Sequence, residues 1–490
     1  MSDINSANDV PTLDAPTLRR AGRSLAAPFR LMLAAPEKAR ELVVTDILRL
    51  LPAKRLVGFA GRQGGPTAVA KVYLDPHRAR RHFAREIRGI EALRDAGIPT
   101  PDMLFQGTLL DGRTPVLLTR RIKAARDLDG AMAAGAAPAL EAVVACLARM
   151  HMAGLRQEDV HPGNFLWVDG GVLVIDGAAI RRHGTRPLAQ APSIANLGLF
   201  LAQIHPHCEA LMPHLTAVYC RARDWAPTPA ISRNVAKAVR HWSDWREMKY
   251  LQKSVRSCTA FRTRSSWQRF MACDRRSFTP FLSQLLDDPD TAMAAGTILK
   301  AGNSATVVLV EQDGEPLVIK RYNLKNRRHA LARALRPTRA RVSWRNANRL
   351  RFMGIATPQP LALLERRWGP LSGRAYFIAE HVAGEPLTAV VRRHRDDPAL
   401  LAACADNLAH LLESLHQLRL SHGDLKASNL LWHGDELYLL DLDGMRKHSL
   451  QAGFRRAFRK DIRRLLENWR QDPAFTALLK TRLREIDPDV

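Results

Sequence analysis

Three polar residues recur twice along this chain at one spacing, and the repeat constrains the fold more than any other feature. Asp424, Asn429 and Asp441 lie between Ser421 and Met445; Asp159, Asn164 and Asp176 stand 265 residues earlier. The same offset links His151 to His416, His183 to His448 and Asn196 to Asp461. Six positions in one register imply an internal duplication, so the chain reads as two copies of one unit. Within each copy an Asp is followed five residues on by Asn, then twelve further by a second Asp that closes an apolar run. Phosphoryl transfer needs that layout: one carboxylate accepts the acceptor hydroxyl's proton, while the amide and the second carboxylate hold metal ions against the phosphates. A lone His-Gly-Asp would be weak evidence against a solvated turn. The full spacing, met twice, is specific.

With 490 residues and a prior of about 150 per domain, two to four domains are expected, each able to bury a core. Six cysteines without a CxxC pair read as core thiols of a reducing compartment rather than a metal site. No apolar run approaches the length of a membrane span, and the N-terminal basic stretch RRAGRSLAAPFRLMLAAP lacks the apolar length of a signal peptide. The charge is unusual: 74 Lys and Arg against 48 Asp and Glu give a formal +26. A balance this basic implies an anionic partner. Arg-rich coding bias explains part of it, but Lys320 to Arg351 holds twelve basic residues and no acid.

In chain order, residues 1–40 read as an irregular segment. Lys38 to Gly61 passes from helical periodicity into a β-like stretch, and Arg62 to Pro66 reads as a hairpin turn. The next strand, TAVAKVYL, carries Lys71 where a kinase strand presents its phosphate-binding lysine. Glu86, on the helical RHFAREIRGIEALRDAG, is placed to reach it. The second copy starts near Gly296. Gly302, Asn303 and Ser304 form a turn whose backbone amides can cradle phosphate, and Lys320 matches Lys71. Counting back from the matching GIPTP and GIATP segments, Ser343 stands where Glu86 stands, so the second copy has no acid there. Residues 200–290 read as the remaining helices of the first unit followed by a linker.

These residues resemble the lipopolysaccharide kinase (Kdo/WaaP) family of Gram-negative bacteria. The resemblance rests on RLVGFAGRQGG, VAKVY, REIRGIEALRDAGIPTP and EDVHPGN in the first half. In the second half LKAGNSATVV, VIKRY, WRNANRLRFMGIATPQPLAL, HGDLKASN and LLDLDG carry it. It implies an α+β fold: two protein-kinase-like units in tandem, each with a β-rich N-lobe and a helical C-lobe. The expected division is 1–40 irregular, 41–255 first kinase-like domain, 256–290 linker and 291–490 second kinase-like domain. It also implies transfer of phosphate from ATP, with Mg2+, to a heptose or Kdo hydroxyl of the lipopolysaccharide inner core.

Carried over by motif, Lys71 and Lys320 take the α/β-phosphates, with Glu86 as the partner of Lys71. Asp159 and Asp424 become bases, and Asn164, Asp176, Asn429 and Asp441 metal ligands. Asp443 reads equally as a second carboxylate near the metals or as a turn-forming Asp before Gly444. Asp461 is expected to brace the catalytic loop, and His416 and His422 to be structural. The expected partners are the lipopolysaccharide core and the anionic inner-membrane surface, with no nucleic acid, for a cytoplasmic protein peripheral to that membrane. The alternatives are a serine/threonine protein kinase, or one unit as a pseudokinase binding module.

Overall fold

The computed structural model describes residues 10–35, 39–61, 65–123, 125–128, 137–206, 209–312, 314–323 and 336–487. It divides into two compact units, residues 1–204 with 208–242, and residues 205–207 with 243–490. The helix Pro229–Lys253 contributes residues to both.

The first unit opens on a six-stranded sheet. Its order is Phe29–Leu33, Arg40–Leu51, Arg55–Gly61, Ala68–Tyr73, Pro115–Arg120 and Met103–Thr108, every neighbour antiparallel. The helix Ala79–Asp95 follows the strand bearing Lys71. The helix Ala137–Met152 buries Leu140, Val143, Val144, Leu147 and Met150, each contributing about 1.5–3 kcal/mol when fully buried. These side chains recur every three or four residues, so they fall on one helical face. They meet Leu197, Phe200, Leu215 and Tyr219 in one core.

Two expectations fail in this half. The segment read as irregular contains the helix Ala15–Ala21, capped by Asp14, and the strand Phe29–Leu33. Phe29, Leu31 and Leu33 alternate inward while the strand pairs with Arg40–Val44, a period-two signal too short to stand out in sequence. The stretch from Arg40 that reads as helical is a twelve-residue strand. Its Val43, Val44, Thr45 and Ile47 are β-branched, and partners on both sides supply the ladder; tertiary pairing overrides the local pattern.

The second unit carries a seven-stranded antiparallel sheet. Its order is Phe261–Ser265, Arg269–Asp274, Pro360–Trp368, Leu371–Glu380, Glu315–Tyr322, Ala305–Gln312 and Thr297–Ala301. The residues expected to be a linker therefore form its first two strands, followed by the helices Pro280–Asp287 and Pro289–Ala295. Met271, Ala272 and Cys273 are buried where Arg269–Asp274 pairs with Pro360–Trp368; the polar, Arg-rich outer strand beside it disguises the run. The helix Arg339–Phe352 lies after the Lys320 strand, and the helices Pro398–Gln417, Gln451–Glu467 and Pro473–Ile486 build the helical half around Phe454, Phe458 and Trp469.

Both sheets share one inner pattern: two strands joined by a turn, the lysine strand, then a helix, then two further strands. The first sheet is extended by a strand beside Arg40–Leu51, the second by two strands beside Pro360–Trp368. The duplication thus kept the hairpin, lysine strand and helix, and let the edges vary.

Candidate active site

In the first unit Lys71 Nζ donates to Glu86 Oε1 at 2.5 Å and to the Ile175 carbonyl at 3.4 Å. Glu86 is fully buried, and the same oxygen accepts from the Gly177 amide at 3.2 Å. One carboxylate thereby ties the lysine strand, the helix Ala79–Asp95 and the loop following Asp176. The approach is close enough that a Cβ on Gly89 would stand 1.8 Å from the Gly177 carbonyl oxygen; only glycine fits. Lys71, Asn164 and Asp176 line a cavity of about 350 Å³ together with His161. Asn164 Nδ2 donates to the Asp159 carbonyl at 2.7 Å, which leaves Oδ1 as its acceptor. Asp159 itself is exposed and outside that lining.

Arg62, Gln63 and Gly64, in the stretch read as a hairpin turn, lie outside the described residues; strand register gives the counterpart of Gly302-Asn303-Ser304. Val57 pairs with Lys71 and Val307 with Lys320, so the corresponding turn is Pro52-Ala53-Lys54. It contains no glycine, and Ala53 takes a φ of 55°, a left-handed backbone that costs a residue with a Cβ. Sequence reading missed this because Pro-Ala-Lys carries none of the usual glycine signal.

The second unit brings Gly302, Ser304, Lys320, Asn429 and Asp441 to one cavity of about 560 Å³. Asn303, at the tip of the same turn, is not among the lining residues. Asn429 repeats the geometry of Asn164, donating to the Asp424 carbonyl at 2.9 Å. Among the described residues Lys320 has no glutamate partner. Its ammonium donates to Asp441 and, at 3.2 Å, to Asp443, while Ser343 bonds the buried Tyr322 hydroxyl at 2.7 Å. Burial alone would lower the Lys320 pKa; Tyr322 and the Asp443 and Asp441 carboxylates more than reverse it and keep the amine charged. Burial likewise works against Asp441, but the Lys320 charge and hydrogen bond hold its carboxyl below the usual range. Asp441 sits in the left-handed region, φ 59°, a backbone strain of the kind that persists at functional sites.

The loop carrying Asp424 is held from below. The buried Asp461 accepts from the His422 amide at 2.6 Å and the Gly423 amide at 3.0 Å, and His422 Nε2 meets the Leu440 carbonyl at 2.9 Å. The Asp424 carboxylate lies between Arg464, at 2.5 Å, and Lys426, at 3.1 Å. In the first unit Asn196 stands in place of Asp461, spending its amide on the Gln157 carbonyl and its oxygen on His151. Gln157, in place of His422, has a buried side-chain amide without a hydrogen-bond partner among the described residues. Asp159 has no ion-pair partner among the described residues.

Chemically, each cavity offers an ammonium for phosphate, and one carboxylate plus one amide oxygen for a cation. No group of three or more His, Cys, Asp or Glu suited to a metal occurs among the described residues. An Asp-plus-Asn pair nonetheless fits a hard divalent ion that takes most of its oxygens from phosphate and water.

A lysine on a mid-sheet strand, a following helix, and an Asp, Asn and Asp on the loops below define a protein-kinase-like phosphotransferase acting on hydroxyl groups, which uses ATP and a divalent metal. The lipopolysaccharide kinase (Kdo/WaaP) family model matches residues 62–181 and 298–483, and the chain belongs to that family. Among solved structures the chain is similar to WaaP in complex with acyl carrier protein, at 22% identity over 43% of this chain and 90% of that one, with a TM-score of 0.33. It is also similar to the bifunctional kinase-methyltransferase WbdD, at 16% identity over 43% of this chain and 49% of that one, TM-score 0.29. The Mycobacterium tuberculosis PknI kinase domain aligns at 20% identity over 41% of this chain and 95% of that one, TM-score 0.26. No curated protein matches the chain.

Proposed function

We propose that this protein transfers the γ-phosphate of ATP to a heptose or Kdo hydroxyl of the lipopolysaccharide inner core, and that the second unit carries the transfer. The observation that supports this most is the convergence of Lys320, Asn429 and Asp441 on one cavity, with Asp424 on the same loop as Asn429. Lys320 takes the α/β-phosphates, and the Gly302–Ser304 turn covers them. Asn429 and Asp441 would hold Mg2+, which would neutralise charge on the phosphates. Asp424 takes the proton of the sugar hydroxyl as its oxygen bonds to the γ-phosphorus. The bond to the β–γ bridging oxygen breaks, and ADP leaves with that electron pair. Arg464 and Lys426 hold the Asp424 carboxylate in place for that proton. The first unit binds nucleotide through Lys71, Glu86, Asn164 and Asp176, with Asp159 too weakly braced to sustain comparable transfer.

The acceptor is lipid-anchored, and no helix among the described residues is long and apolar enough to cross a membrane. The +26 charge therefore supports reversible docking at the cytoplasmic face of the inner membrane, each basic residue near an anionic surface contributing about 1 kcal/mol. In the basic run from Lys320 to Arg351, Lys325, Arg327, Arg328 and Arg333 lie outside the described residues. A protein acceptor is the second reading, favoured by Lys426 beside Asp424. Incubating the full chain with ATP and Mg2+, against core oligosaccharide and against generic protein substrates, separates the two. Label on the oligosaccharide that is lost with Lys320→Met supports the sugar reading; label on protein alone overturns it.

A further inference from the structure

The second unit lacks the glutamate that orients the lysine in the first, yet Lys320 is as well enclosed as Lys71, with side-chain exposures of 15% and 13%. Two carboxylates reach it. Asp441 is one of the two side chains assigned to the metal, so its contact with Lys320 competes with that task. Asp443 is in a different position. Its Oδ2 accepts from Lys320 at 3.2 Å and from Arg339 at 2.8 Å, and its side chain is only 11% exposed. Arg339 is the first residue of the helix Arg339–Phe352. It also donates to the Ser304 carbonyl at 3.4 Å, and its guanidinium and the Lys320 ammonium each lie 5.0 Å from the centroid of the Tyr322 ring.

We propose that Asp443, anchored by Arg339, is the carboxylate that positions Lys320 for the nucleotide phosphates, replacing the helix glutamate. The polarity of the helix contact is reversed: in the first unit the helix supplies the anion, Glu86, and in the second it supplies the cation, Arg339. The carboxylate moves to the loop beside Asp441. A divalent cation on the same Oδ2 would face two positive charges already within hydrogen-bond distance, and this argues against Asp443 as a metal ligand. With Asp441 drawn to the metal, Asp443 remains to keep the ammonium aimed, because Arg339 holds it from the other side. The turn closing on the phosphates is fixed by the same guanidinium, so Arg339 couples the lysine, the turn and the helix.

This inference rests on the assignment of Lys320 to the phosphates, and its test separates the two. In the full chain carrying Lys71→Met, so that the second site reports alone, a fluorescent ATP analogue is titrated without divalent cation and then with increasing Mg2+. Lys320→Met is expected to abolish binding; if it does not, the phosphate assignment itself fails. Asp443→Asn should weaken metal-free binding about tenfold, the scale of one charge-assisted hydrogen bond, and raise KM for ATP more than it lowers kcat. Adding Ser343→Glu to Asp443→Asn should restore binding, since Ser343 lines the same cavity as Lys320. Unchanged metal-free binding with a raised Mg2+ requirement would make Asp443 a metal ligand and overturn the proposal, as would absence of rescue. Should Asp443→Asn fail to fold, Arg339→Gln carries the test: it must show the same metal-free loss, and wild-type affinity there refutes the idea.

Discussion

The two units solve one mechanical problem with different side chains. Each must couple its helix to the loop that bears the second Asp. The first does so with Glu86, which bonds both Lys71 and the Gly177 amide, and with the bare backbone contact of Gly89 on Gly177. In the second, Asn346 stands in place of Gly89 and donates its amide to the Leu442 and Met445 carbonyls at 2.9 and 3.0 Å, while Arg339 reaches Asp443. The catalytic loops differ in the opposite sense. The second is tied by the buried Asp461 carboxylate and faces Arg464 and Lys426; the first has Asn196, a Gln157 amide without a hydrogen-bond partner among the described residues and an exposed Asp159. The first unit has the Lys71–Glu86 pair and no carboxylate beneath the Asp159 loop; the second has Asp461 beneath the Asp424 loop and pairs Lys320 with Asp441 and Asp443. A duplicated site can divide its tasks because nucleotide binding and proton abstraction depend on separate sets of contacts.

The largest test of this contrast is at Asp424 and Asp159, the proposed bases. Asp424→Ala should lower kcat toward the acceptor by about 10²–10⁴-fold, the usual weight of a general base, whereas Asp159→Ala should leave kcat near wild type. Equal losses would break the comparison. Next is the brace: Asp461→Asn gives the second loop the residue of the first and removes a carboxylate acceptor from the buried His422 amide and the Gly423 amide. The second unit should lose on the order of 1.5–3 kcal/mol, read by chemical denaturation, with kcat falling alongside; unchanged stability would mean that the brace is not needed.

Gly89→Ala probes the backbone contact of the first unit. Forcing a methyl against the Gly177 carbonyl should cost about 1–3 kcal/mol in thermal unfolding and weaken nucleotide binding at the Lys71 site only. Loss at the Lys320 site instead would show that the two sites are not independent.

The last expected effect is confined to acid. Burial lowers the His151 pKa from 6.5 to about 4, with Asn196 opposing and Arg223 adding to the shift. The folded value lies below the unfolded one, so the stability contributed is complete above pH 6.5 and is lost as pH falls toward about 4. His416, the repeated position, is shifted in the same direction, first by burial. Melting curves across that window should soften the first unit, and His151→Gln should flatten its slope. A slope unchanged by His151→Gln would assign the acid sensitivity to other groups.

The repeat, the lysine strands, the Asp-Asn-Asp spacing and the family were legible in the sequence, because each is a local pattern set by how far a loop or strand can reach. The pairing of Lys71 with Glu86 was legible for the same reason: one strand and the next helix lie close in the chain. What replaced the missing acid at Ser343 was not, since Arg339 and Asp443 are separated by 104 residues and neither carries a helical or strand periodicity that points to the other. The turn at Pro52-Ala53-Lys54 became the counterpart of Gly302-Asn303-Ser304 only through the strand register that aligns Val57 with Val307. The strands at Phe29–Leu33 and Phe261–Ser265 were decided by available sheet edges, since a short half-polar run becomes a strand only when a neighbour offers its hydrogen bonds. The sequence by itself determined which chemistry is repeated and where its residues stand. Tertiary structure alone decided which carboxylate meets which cation, because that choice depends on distances across the cleft that no spacing along the chain encodes.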